Sequence, residues 1–131
     1  MDGDPRIDLV RRFSAAGPAD EDSARADYSV PEFVWHVPGG NAVSGRYDGY
    51  DEVFREIGAR MGGLEDWDLE VRAVMANEDL VMAVVEVAAE RVGRRVSCLG
   101  GHLFRLAPDG RIAEAWGFVE DQAGLDEVLH L

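Results

Sequence analysis

The sequence predicts an α+β fold in which helices come first and a curved, mostly antiparallel sheet follows. Apolar residues recur at helical spacing in the first half of the chain. From Trp67 onward the apolar period changes to two, which is typical of strands with one buried face. Strong turn signals divide this second half, as expected for a meander rather than a repeated strand–helix–strand unit.

Two helices are predicted before the first strand. Ile7, Leu9, Val10 and Phe13 form an apolar stripe at helical spacing, so a first helix should run from Asp4 to about Ala16 and end at the Gly-Pro pair that follows. The acidic, alanine-rich segment 19–26 predicts a short second helix.

A short strand and a long helix should come next. The β-branched and aromatic run Phe33–Val37 lies between two prolines, which predicts a strand that leads into a loop. Beyond the loop, Tyr50, Val53, Phe54 and Ile57 recur at i, i+3, i+4 and i+7, which predicts a helix.

The rest of the chain predicts four strands and a tail. The run from Trp67 alternates up to a turn at 77–79, and a valine-rich run follows over 80–90. After a second turn at 92–94, strands are expected over 95–106 and 111–119, joined by the Pro-Asp-Gly turn at 108–110. Residues 121–129 form either a short helix or a segment along the sheet.

Composition indicates one domain over residues 1–131 and excludes several kinds of partner. The 131 residues are 47% hydrophobic and carry a formal charge of −13, from 26 acidic residues against 13 arginines, with no lysine. Such a charge repels phosphate backbones and anionic lipid surfaces, so we expect neither nucleic acid nor membrane as a partner.

No cofactor or metal is expected from the sequence motifs. The single cysteine, Cys98, lies in an alternating apolar run and is interpreted as a buried thiol. The three histidines lack metal-ligand spacing, and no phosphate loop or dinucleotide fingerprint is present. Without a signal peptide or an apolar stretch of membrane-spanning length, a cytoplasmic location is the default expectation.

Two motifs in this order resemble a known family. They are Val-Trp-His-Val-Pro-Gly at 34–39, followed by Ser-Gly at 44–45, and Asp-Gly-Arg-Ile-Ala-Glu-Ala-Trp at 109–116, with Asp-Gln at 121–122. Together with Phe13 in the first helix, they make the chain similar to the nuclear transport factor 2-like superfamily, and within it to SnoaL-like polyketide cyclases and ketosteroid isomerase relatives. The resemblance implies a cone-shaped α+β barrel around an apolar pocket, and a homodimer formed through the convex face of the sheet.

The resemblance also implies where an acid and a base would stand. Laid against the ketosteroid isomerase pattern, the base carboxylate falls on His36, the oxyanion acid on His102 and the phenol on Phe13, which has no hydroxyl. The isomerase triad is therefore absent. Two imidazoles remain in these places, and histidine both accepts and donates protons near neutral pH. Asp121 matches a position where relatives keep an acid, and a helix N-cap explains it as well.

Strand parity predicts an aromatic wall around His102. A hairpin closed at 108–110 places Trp116 opposite His102, with Phe104 and Phe118 on the same surface. His36 alternates with Trp35, so only one of the two can face the cavity. The residues expected to line the pocket are Phe13, Trp35, Phe54, Phe104, Trp116 and Phe118. All of these aromatic residues, and both histidines, are also compatible with a purely structural role.

Two functions fit these observations. The first is an acid–base isomerase, cyclase or hydratase acting on a small hydrophobic, polyketide- or steroid-like molecule, with His36, His102 and Asp121 as its catalytic groups. The second is a non-catalytic protein that binds a small ligand in the same cavity, which the missing phenol and carboxylate favour.

Overall fold

A six-stranded mixed sheet organises the fold. The computed structural model describes residues 3–15, 27–62 and 64–130. Its strands are β1 (Ser29–Val37), β2 (Gly45–Asp48), β3 (Asp66–Asn77), β4 (Leu80–Arg91), β5 (Arg94–Leu106) and β6 (Ile112–Val119). The strands lie side by side in the order β2-β1-β6-β5-β4-β3. Every neighbouring pair is antiparallel except β1 and β6, which run parallel.

Three helical segments occur in the described part of the chain. Helix α1 spans Pro5–Ala15, close to its predicted bounds. Segment α2 winds as a π-helix over Asp51–Glu56 and continues as an α-helix over Ile57–Arg60, where a single helix was predicted. Helix α3 spans Gln122–Val128, which decides the prediction for the tail in favour of a helix. The second helix predicted at 19–26 lies outside the described residues.

The predicted meander is confirmed, with tight turns between its long strands. Two residues, Glu78 and Asp79, connect β3 to β4, and Val92 and Gly93 connect β4 to β5. Glu78, Val92 and Gly93 have positive φ angles of 55°, 50° and 76°. Left-handed backbone at such positions matches the twist of two-residue hairpins.

Strand β2 was not predicted from the sequence. It has four residues, and only Tyr47 is buried, so it shows no alternation long enough to stand out from a loop. It pairs with β1 at the edge of the sheet, where Tyr47 lies opposite Trp35.

The inner face of the sheet forms the hydrophobic core. Alternate residues of β4 are buried against the helices, and α1 covers them with Val10 and Phe13. Phe33 and Phe104 are completely buried between these layers. The α+β class predicted from the sequence is confirmed, and the inner face of the sheet is the surface on which a site can be built.

A β-bulge corrects the predicted register of the last hairpin. Next to the turn, Leu106 pairs with Ile112, but the following pair is Arg105 with Glu114, so Ala113 is an extra residue on β6. A shift of one residue exchanges the two faces of a strand. His102 therefore lies opposite Gly117, and the prediction that Trp116 faces it was wrong: Trp116 lies on the outer face, opposite Leu103.

Candidate functional site

A cavity of about 670 Å³ lies between the inner face of the sheet and the helices. This volume is within the usual range for pockets that bind small organic molecules. Residues from all three helical segments and from strands β1, β3, β4, β5 and β6 line it. Most of the lining side chains are apolar, so an apolar ligand would be stabilised by the area it removes from water.

Aromatic rings form the deep wall of this cavity. Phe13 of α1 stacks on Trp35 of β1 with ring centroids 6.1 Å apart, and Phe54 of α2 lies 6.4 Å from Phe13. All three residues line the cavity. They come from three separate elements, so the wall exists only when α1 and α2 are packed on the sheet.

His102 projects from β5 into the cavity. Its ring contacts Trp35 edge-on, with centroids 5.2 Å apart, and Phe104 edge-on at 6.0 Å. Gly117 lies opposite it on β6, and a Cβ there would stand 3.8 Å from the imidazole and 3.1 Å from Pro38. The glycine thus leaves the space beside His102 open. Within the described part of the chain, no hydrogen-bond partner of the His102 side chain is found.

The environment of His102 keeps its imidazole uncharged. Burial among aromatic rings penalises the protonated form and lowers the pKa of His102 from 6.5 to about 4. At neutral pH the ring therefore has one N–H donor and one nitrogen lone pair. Since neither is used by a described protein group, both are available to a ligand.

Ser14 is a second polar group in the lining that the sequence did not reveal. Its hydroxyl oxygen is buried and has no hydrogen-bond partner among the residues that the structure describes, and the residue lines the cavity beside Phe13. Buried hydroxyls are normally satisfied. A buried hydroxyl that faces a cavity can form its hydrogen bond to a ligand or to water inside the cavity.

Exposed residues among the lining mark the mouth of the cavity. Glu65, Asp66 and Trp67, at the start of β3, are all exposed and all line it. The backbone N–H of Val92 donates to Glu65, and Asp66 lies 3.7 Å from Arg95. The mouth thus has two carboxylates and one indole ring.

His36 does not face this cavity, which corrects the predicted pair of histidines. It lies on the outer face of β1, where its Nε2 donates to Glu114 at 2.7 Å and its ring stacks on Trp116, with centroids 5.3 Å and planes 7° apart. Arg105 donates to the second oxygen of Glu114 at 3.1 Å. The hydrogen bond from His36, followed by that from Arg105, lowers the pKa of Glu114. We call these four residues the outer cluster.

The sheet separates the outer cluster from His102. Trp35 faces inward and His36 outward because successive residues of a strand alternate between faces. His36 and His102 therefore cannot act on one substrate in this cavity as the predicted acid and base.

Asp121 is occupied as a helix cap. Its carboxylate accepts the backbone N–H of Gly124 at 2.9 Å at the start of α3, and the residue is exposed and lies outside the cavity lining. This is the N-cap alternative, in which the carboxylate satisfies a free helix N–H. The geometry gives Asp121 no contact with the cavity.

Two of the aromatic residues predicted to line the pocket lie elsewhere. Phe104 is completely buried behind His102 and Trp35, so it supports the wall without reaching the cavity. Trp116 belongs to the outer cluster. Phe118 borders the cavity, although its pairing with Gly101 places its side chain on the outer face, where it is 50% exposed.

A family model for the SnoaL-like domain matches residues 10–115, which is most of the chain. The chain belongs to the SnoaL-like family. This confirms the resemblance that the two sequence motifs indicated. No curated protein matches this SnoaL-like chain.

Solved structures show the same fold at low identity. A protein of unknown function with a cystatin-like fold from Xanthomonas campestris is 24% identical, with a TM-score of 0.86 over 96% of this chain and 98% of that one. A protein assigned to the SnoaL-like polyketide cyclases from Jannaschia sp. CCS1 is 17% identical, with a TM-score of 0.76 over 99% and 97%. TerC, crystallised with polyporic acid, is 15% identical, with a TM-score of 0.79 over 98% and 100%. These likenesses support the nuclear transport factor 2-like cone fold.

In the described residues no group of three His, Cys, Asp or Glu side chains is arranged to hold a metal ion. None of the described helices is long and apolar enough to cross a membrane. The polar side chains of the cavity lining include His102, Ser14, Asn41, Glu65 and Asp66. Asn41 is engaged, because its amide donates to Asp126 and accepts the backbone N–H of Val43.

Proposed function

We propose that this SnoaL-like chain is a cofactor-independent enzyme that isomerises, cyclises or hydrates a small hydrophobic molecule in the cavity, with His102 as its catalytic residue. The observation that carries the proposal is the His102 imidazole, which faces an apolar cavity and has no described protein partner. TerC, which has the same fold, was crystallised with polyporic acid, so the fold accepts a small organic molecule.

His102 suits the stabilisation of a developing oxyanion. A neutral imidazole donates its N–H to a substrate carbonyl, and this hydrogen bond strengthens as negative charge moves onto the oxygen. The lowered pKa makes the ring a weak proton acceptor, which favours the donor role over that of a general base. In this proposal His102 fills the oxyanion-acid role that the family resemblance implies for it, without His36 as its partner.

The test measures exchange at the α-carbon of bound ketones in deuterated water by NMR. We expect His102→Phe to bind the ketone within a few-fold of wild type and to lose exchange by about 100-fold or more, the range for one catalytic hydrogen-bond donor. His36→Phe is the control, because His36 lies on the other face. Full exchange activity in His102→Phe would contradict the proposal.

A specific observation favours a second candidate, a binding protein without chemistry. Of the three predicted catalytic side chains, only His102 faces the cavity, since His36 pairs with Glu114 and Asp121 caps α3. In this case His102 anchors a ligand oxygen and no bond changes. The same NMR experiment distinguishes the two, because ligands would then bind to the wild type without exchange or turnover.

We propose in addition that a second copy of the chain packs on the outer face of the sheet. Four exposed apolar side chains lie on this face: Met75, Leu80, Leu99 and Phe118. Exposed apolar surface of this kind is typical of protein interfaces. Sedimentation should show a dimer for wild type, a monomer for Leu99→Asp, and a dimer for Val92→Asp, which changes an exposed turn residue away from the face. A monomeric wild type would refute the dimer.

A further inference from the structure

Three features of the cavity decide which ligand charge it accepts: the groups in its deep part, the residues of its mouth and the charge of the whole chain. The deep part offers two polar groups, the His102 imidazole and the Ser14 hydroxyl, neither of which has a described hydrogen-bond partner. Burial lowers the pKa of His102 to about 4, so the ring is neutral at physiological pH. A ligand atom beside either of these groups thus meets a hydrogen-bonding dipole and no positive charge.

A buried anion would find no cation to pair with among the described lining residues. Among the described residues that line the cavity there is no arginine, and the chain has no lysine. Transfer of a carboxylate or phosphate from water into an apolar site is strongly unfavourable without such a pair. The deep part therefore disfavours anions by desolvation alone.

The mouth adds repulsion to this desolvation penalty. Glu65 and Asp66 both border the opening and both are exposed. Asp66 has Arg95 at 3.7 Å, but Glu65 forms no ion pair with any cation in the described ranges. The net charge of −13 acts in the same direction.

We infer that the cavity selects an uncharged, largely apolar ligand that carries a carbonyl or hydroxyl oxygen for His102 or Ser14, and that Glu65 and Asp66 at its mouth reject carboxylates. This inference rests on the proposed function and adds to it the charge class of the substrate and two specificity residues. The lining rather than the fold sets this preference, so the polyporic acid bound by TerC does not carry over to this chain at 15% identity.

The experiment compares ligands that differ only in their polar group. 2-Acetylnaphthalene, a methyl ketone, and 2-naphthoate, the corresponding carboxylate, share one ring system, and calorimetry gives the dissociation constant of each. We expect the ketone to bind wild type at least tenfold more tightly than the carboxylate. The ratio should fall several-fold in the double variant Glu65→Gln/Asp66→Asn, because the repulsion is removed while the shape is kept.

A matched control separates the mouth from the overall charge. Glu32 is exposed on β1 and lies outside the lining, so Glu32→Gln changes the net charge without touching the opening. This variant should keep the wild-type ratio. Because exposed charges are screened by salt, the ratio should also decrease as the salt concentration rises.

The possible binding results test the inference, the role of the mouth residues and the proposed function separately. Equal or tighter binding of 2-naphthoate by wild type overturns the inference and leaves the small-molecule pocket intact. An unchanged ratio in the double variant overturns the role of Glu65 and Asp66. If neither naphthalene compound nor any larger hydrophobic ketone binds, the proposed function itself fails, and the inference fails with it.

Discussion

The neutral, buried imidazole of His102 makes a quantitative prediction for the pH dependence of stability. In the unfolded chain a histidine takes up a proton near pH 6.5, but in the folded protein His102 does so only near pH 4. Between these values the unfolded state binds the extra proton, so acid favours unfolding. The contribution of His102 to stability is complete above pH 6.5, falls as the pH is lowered and stops changing below pH 4.

The size of the effect follows from the two pKa values. One pKa unit corresponds to about 1.4 kcal/mol, so the full shift corresponds to about 3 kcal/mol in the free energy of unfolding. Lowering the pH from 8 to 5.5 should reduce the free energy of unfolding by about 1.4 kcal/mol through His102. That window avoids most of the titration of the carboxylates, whose ordinary pKa values lie near 4.

The assay is urea unfolding followed by circular dichroism at pH 8 and pH 5.5. His102→Gln removes the titrating group, so wild type should lose about 1.4 kcal/mol more than this variant over the window. His130→Gln is the control, because His130 is exposed near the end of the chain, and it should behave as wild type. Equal losses in wild type and His102→Gln would refute the placement of His102 in an apolar, partner-free environment.

Three further predictions concern the scaffold, and denaturant unfolding measures each of them. Gly100→Ala should destabilise by about 1–3 kcal/mol, because its Cβ would stand 2.6 Å from the carbonyl oxygen of Phe118. Gly101→Ala should have a smaller effect, because the tightest contact of its Cβ would be the flexible Met82 sulfur at 3.3 Å, and the Ala83 carbonyl oxygen would lie at an ordinary 3.5 Å. Equal effects would contradict the close approach of β5 and β6. Phe104→Ala should cost about 3–5 kcal/mol, since the ring is completely buried, and a loss under about 1 kcal/mol would show that it is not in the core. Asp121→Ala should lower the free energy of unfolding by about 1 kcal/mol, because the N-cap hydrogen bond is lost, and it should leave ligand affinity unchanged. A loss of ligand affinity would show that Asp121 contributes to the binding site.

Much of the fold could be predicted because it depends on short-range patterns. The apolar stripe of α1 and the alternation of β3 and β4 follow directly from how each element buries one face. The turns after β3, β4 and β5 are marked by polar and glycine residues that the chain needs in order to reverse. Strand β2 was missed because a single buried residue, Tyr47, carries no period.

The candidate site was only partly predictable, for a physical reason that Ala113 illustrates. Face assignment on β6 depends on counting residues through the hairpin, and the extra residue at Ala113 moves Trp116 from the predicted inner face to the outer one. Bulges of this kind leave no reliable mark in a single sequence. His102 lies on β5, before the turn, so the extra residue on β6 leaves its inward direction unchanged.

Other site residues depend on contacts between distant elements. Ser14 and Glu65 border one cavity although they are far apart in the chain, and nothing in the local sequence of either points to the other. His36 has the same chemistry as His102, yet its neighbour Trp35 takes the inward position. Which of two adjacent residues faces the core is set by the packing of Trp35 against Phe13 and Phe104.

The central claim is that His102 is the histidine that meets the ligand. The most direct test is NMR of the protein with ¹⁵N-labelled histidine, titrated with a neutral hydrophobic ketone, because it observes each imidazole separately. Variants of the individual histidines assign the three sets of ring signals. We predict that the ring nitrogens of His102 shift on binding while those of His36 and His130 stay in place. A ketone that binds and shifts the His36 resonances, or that leaves the His102 resonances unchanged, would contradict the account.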